Sequence, residues 1–119
     1  MITIRMNTAK LKLTIDGHAT PAESGEWKEI CAATSALAQA LMYSLTKYND
    51  GKDTMKSVEY RPEAGNLMIR VFPETWAERG LRNIFKVYGD GLQLLAESHP
   101  QSVEMIRDEE RIIAKEEGQ

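Results

Sequence analysis

With 119 residues, 42% of them apolar and 28% charged, and a formal net charge of −3, the chain is sized for one compact domain around a modest core. No apolar run approaches the length of a bilayer-spanning helix, and Met1-Ile2-Thr3-Ile4-Arg5-Met6 alternates where a signal peptide would run apolar, so a cytoplasmic protein without a membrane partner is expected. Lysines and arginines are scattered rather than clustered, which argues against direct nucleic-acid contact.

In chain order, Ile2, Ile4 and Met6 and then Leu11, Leu13 and Ile15 alternate with polar residues, the period of half-buried strands. The gap Asn7–Lys10 between them is short enough for a hairpin. The second strand runs into Asp16-Gly17-His18, and residues 19–27, broken by Pro21, Ser24 and Gly25, read as a surface loop in which only Ala22 and Trp27 offer apolar anchors. From Lys28 to about Tyr48 the period changes. Ile30, Thr34, Leu37, Leu41, Leu45 and Tyr48 mark one helical face, and Gly51 follows as a left-handed cap. Strands are expected at 54–61 and 67–72 around a turn with Gly65 and Asn66.

Pro73-Glu74-Thr75 opens a second helix whose stripe is Ala77, Leu81, Ile84, Tyr88, Leu92 and Leu95, with Phe85 and Val87 outside it. Its glycines, Gly80, Gly89 and Gly91, signal close packing or a break near Gly89. A last strand begins at Val103, and residues 109–119 form a charged tail to a single domain spanning 1–108. The order ββ-α-ββ-α-(β) predicts an α+β fold, a small, mostly antiparallel sheet packed with two helices.

One cysteine and two histidines leave no disulfide framework and no metal site, and no cofactor is expected. Cys31 is therefore either a small core hydrophobe or a reactive group. It falls at the start of the first predicted helix, where free backbone N–H groups and the helix dipole favour a thiolate, and Lys28 adds a positive charge one turn earlier. His18, across the loop, is a base that could take the thiol proton.

The run Gly17-His18-Ala19, followed after about a dozen residues by Cys31-Ala32-Ala33-Thr34-Ser35, resembles the signature of the bacterial ribosomal-processing cysteine protease (Prp) family. Leu95-Ala96-Glu97 before Pro100, and the strand at Ser102-Val103-Glu104-Met105, are similar to that family's second helix and terminal strand. The resemblance implies a cysteine endopeptidase that removes a short N-terminal extension from a ribosomal large-subunit protein, cutting after an aromatic residue. It implies Cys31 as nucleophile and His18 as base, with Ser35, Gly17 and Ala32 in supporting or substrate-binding places. The family's Asp before the cysteine is absent; Lys28 stands nearest that place, with Glu26 and Glu29 as replacement carboxylates. The resemblance also implies a homodimer, and the second helix, with Phe85 and Val87 off its stripe, is the expected interface. Two other readings are a phage-borne relative acting on a capsid or scaffold protein and a catalytically silent dimeric peptide-binding module.

Overall fold

The computed structural model describes residues 1–108; the charged segment 109–119 lies outside them. Strands β1 (Ile2–Asn7) and β2 (Lys12–Gly17) precede helix α1 (Trp27–Asn49). Strands β3 (Met55–Arg61) and β4 (Asn66–Pro73), a 3₁₀ turn at Thr75–Ala77, helix α2 (Glu78–Ser98) and strand β5 (Val103–Arg107) follow. The sheet order is β3-β4-β2-β1-β5, and every neighbour is antiparallel except the parallel β1–β5 pair. The expected α+β class and element order hold.

Alternation decides which face is dry. Ile4 pairs with Ile15 and Ile15 with Leu67; one step on, Met6 pairs with Leu13 and Leu13 with Ile69. All six are buried, and they share one core with Ile30, Leu41 and Leu45 of α1 and Leu81, Phe85 and Leu92 of α2. Both helices thus cover one face of the sheet. The other face carries the intervening residues, among them Thr3, Arg5, Lys12, Thr14 and Arg70, none fully buried, and Met68, which is buried. Leu11 stands in the hairpin turn rather than the strand, at φ 53, with its side chain buried and its carbonyl accepting from the Val71 N–H at 2.9 Å.

The second helix departs from its expected stripe. Leu81, Phe85, Gly89, Leu92 and Ala96 are its buried line, and Phe85 is 0% exposed, a core residue and not an interface one. The reason is that α2 has two neighbours. Gly89 meets Met6 of the sheet, while Gly80 abuts Tyr48, Gly91 abuts Leu37 and the hydroxyls of Tyr88 and Ser44 bond at 2.6 Å across to α1. The apolar arc is therefore wider than one stripe, and the helix runs unbroken through its glycines.

Candidate active site

At the end of β2 the chain turns away through Gly17 at φ +89, where a side chain would run into the Met1 carbonyl. The Gly17 N–H donates to the Gly65 carbonyl at 2.9 Å, tying the strand end to the β3–β4 turn. Gly65 itself is at φ +80, and the His18 imidazole lies where its Cβ would stand. Only glycine satisfies both the backbone and the ring at that point.

The loop after His18 is better anchored than its composition suggested. Ala19 is the apolar pin, 3% exposed, whereas Ala22 is exposed; Trp27 packs half-buried against the core. Thr20 and Glu23 close a turn: the Glu23 N–H donates to the Thr20 carbonyl, and the Thr20 N–H to the Glu23 carboxylate, each at 3.0 Å. The α-amino group of Met1 donates to the His18 carbonyl at 2.7 Å and pairs with Glu23 at 2.5 Å. That ammonium, with the Thr20 N–H assisting, holds the Glu23 carboxyl below the usual glutamate range.

Cys31 is the fifth residue of α1, at the start of its second turn, and is half-buried. Its thiol points to the Ala19 carbonyl at 3.9 Å and makes no hydrogen bond to His18. Lys28 lays its ammonium over the Trp27 ring, 5.5 Å from the centroid. Ser35 and Gln39 follow Cys31 at four-residue steps, so the three share a face.

His18, Cys31 and Ser35 open onto one cleft of about 230 Å³ between the first half of α1 and the end of the sheet. Ile2, Ile15 and Leu67 supply its apolar wall, and Tyr60 and the turn Pro62–Gly65 its rim. Of the residues expected there, Gly17 also lines the cleft; Ala32 is exposed and does not. The expected carboxylates Glu26 and Glu29 are exposed and stand outside the lining, where Glu63 is the acidic residue. Gln39, Tyr60, Glu63 and Gly65 were missed. Gln39 was within reach, at eight residues from Cys31 on the same helical face; the other three arrive through strand pairing that local spacing does not encode.

Among the described residues no group of His, Cys, Asp and Glu could hold a metal ion, and no helix is long and apolar enough to cross a membrane. The arrangement puts a thiol, an imidazole and an apolar wall beside one opening, the parts that acyl transfer to cysteine needs.

Comparison with known proteins gives the same direction. The family model described as cysteine protease Prp matches residues 1–104. Structures of a ribosomal processing protease Prp from S. aureus superpose with TM-scores of 0.66, in complex with a substrate peptide, and 0.65, with a covalently linked product peptide. They are 18% and 17% identical, each alignment covering 90% of this chain and 99% of theirs. The SMU.848 protein of Streptococcus mutans is 22% identical over 89% of this chain and 90% of its own, with a TM-score of 0.62. No curated protein sequence matches.

Proposed function

Because the chain belongs to the family of the cysteine protease Prp, we propose that it is an endopeptidase working through Cys31 and His18. The observation that carries the reading is that these two residues, from different elements, line one cleft with an apolar wall beside them.

In the reaction, His18 takes the thiol proton and the sulfur attacks the scissile carbonyl carbon, forming a tetrahedral oxyanion. Its collapse breaks the C–N bond, and the imidazolium returns the proton to the leaving amine. Water, deprotonated by His18, then cleaves the thioester and frees the carboxylate and the thiol. For this the thiol must leave the Ala19 carbonyl and meet the imidazole, a step that an incoming peptide backbone drives by taking over that carbonyl or displacing the loop.

The wall of Ile2, Ile15 and Leu67 with Tyr60 suits a large apolar side chain at the cut, as in a substrate cleaved after an aromatic residue. Ser35 and Gln39 are placed to bond the peptide backbone. Glu63 at the rim favours a basic segment on the substrate, which fits the N-terminal extension of a ribosomal large-subunit protein. A homodimer would form through the outer side of α2, where Val87 and Leu94 are 66% and 65% exposed. Light scattering at tens of micromolar reads it, with a monomer mass excluding it.

The test is mass spectrometry of a synthetic peptide carrying such an extension. Cleavage at one bond by the protein, and none by Cys31→Ala or His18→Ala, is the expected result. An intact peptide, or equal cleavage by Cys31→Ala, overturns the assignment.

A further inference from the structure

The face of the sheet turned away from the helices holds a second concavity of about 330 Å³, in which Arg5, Lys10, Lys12 and Arg70 surround a single carboxylate, Asp108. The β1–β2 hairpin supplies Arg5, Lys10 and Lys12, and strand pairing brings the distant Arg70 beside them in a chain of net charge −3. Lys12 is the register partner of Arg70, and Arg5 stands opposite Thr14, one same-face step along β2 from Lys12. Lys10 projects from the hairpin turn.

Like charges set directly opposite each other weaken a sheet. Among the described residues no ion pair neutralises them. Glu59 is the register partner of Arg70 on β3, yet among the described residues none of the four cations has a carboxylate within ion-pair distance. The Arg70 guanidinium lies 4.7 Å from the centroid of the Phe72 ring, and its Nε is sealed from solvent without an acceptor. A stacked arginine held in a fixed plane is suited to forked recognition of phosphate oxygens.

We propose that this cradle binds the phosphate backbone of a nucleic-acid strand. Four cations from three strands and a turn line one concavity, and the stacked Arg70 among them suits the closely spaced charges of a phosphate backbone better than the sparser carboxylates of an acidic peptide. The cradle lies on the opposite side of the sheet from the cleft, so a bound strand leaves the cleft open. The proposal stands independently of the proteolytic reading.

Fluorescence anisotropy of the full chain with labelled 20-nucleotide single strands of RNA and of DNA tests it. Binding of either strand is expected, with the logarithm of affinity falling against that of salt at a slope of about −3 when four cations meet phosphates. Arg5→Glu with Lys12→Glu should weaken binding at least tenfold and flatten the slope. Lys10→Glu, in an exposed turn, should weaken it severalfold without touching the sheet, so a folding failure of the double variant leaves a second reading. Arg79→Glu with Lys86→Glu, exposed on α2, should leave it unchanged within twofold. No binding of either strand at 50 mM salt overturns the proposal. So does displacement of the strand by a glutamate 20-mer as readily as by unlabelled RNA, or an equal loss in the α2 pair.

Discussion

Helices α1 and α2 are 23 and 21 residues long and cover the same sheet face, yet they divide the work of the fold unequally. In α2 the inner line of Leu81, Phe85, Gly89, Leu92 and Ala96 is fully committed to packing, and its flanks fit against α1. In α1 the core line is Ile30, Thr34, Ala38, Leu41 and Leu45, and the cleft residues Cys31, Ser35 and Gln39 each sit one position after a core residue. One residue is about 100° of helix rotation. On the proposed function, the chemistry rides on the shoulder of a packed helix, close enough to the core to be held and far enough round to stay open.

The sharpest way to break this comparison is Cys31→Ala. Peptide cleavage should fall by roughly 10⁴-fold or more, about 5 kcal/mol of transition-state stabilisation, while stability changes by no more than about 1 kcal/mol. A denaturant melt showing a loss as large as that from a core residue would place Cys31 in the packing instead. The mirror experiment is Phe85→Ala in α2, expected to cost about 4 kcal/mol of stability through the cavity it leaves, with no specific loss of turnover in the fraction that stays folded.

Gly65→Ala sharpens the contrast from outside the helices. Its Cβ would displace the His18 ring from a backbone that already disfavours side chains, so cleavage should drop by about 10- to 100-fold with thiol alkylation at Cys31 unaffected. Equal losses in both readouts would mean that the turn, not the imidazole, had moved. Ser35→Ala comes next, with a change of about two- to fivefold confined to KM if the hydroxyl bonds only the bound peptide backbone.

The smallest effect is set by pH. The lowered pKa of Glu23 means that its link to the Met1 ammonium adds stability above the ordinary glutamate pKa of about 4.3 and loses it as the pH falls through the lower folded value. Hydrogen exchange of the 18–24 loop should accelerate in that acid window for the wild type. Glu23→Gln should show the faster exchange at neutral pH already; an unchanged profile would remove the link from the account of the loop.

Much of this architecture could be read from residue order. Alternation identified β1 and β2 because only one face of each is buried, and the positive φ of Gly51 was visible as a cap after Asn49-Asp50. What failed was whatever depended on more than one partner. Phe85 looked surplus because a single stripe was assumed for a helix packed against both a sheet and another helix. Tyr60, Glu63 and Gly65 reach the cleft only because β4 pairs with β2, a contact no local period announces. His18 and Cys31 could be placed together by motif alone; that they share one opening is a property of the fold. The basic cradle was hidden for the same reason, since Arg70 joins the hairpin cations Arg5, Lys10 and Lys12 only through the pairing of β4 with β2.

The parallel seam between β1 and β5 has a consequence for the birth of the molecule. Ile2 pairs with Val103, and the Ile2 N–H donates to the Ser102 carbonyl at 2.7 Å, so β1 waits for a strand made about a hundred residues later. Until β5 emerges from the ribosome, β1 presents a bare edge and its sheet lacks one side. Every residue lining the cleft lies between Ile2 and Leu67, so the pieces of the site are made early and locked late. A nascent chain that has not yet made β5 thus holds thiol and imidazole in an unfinished frame.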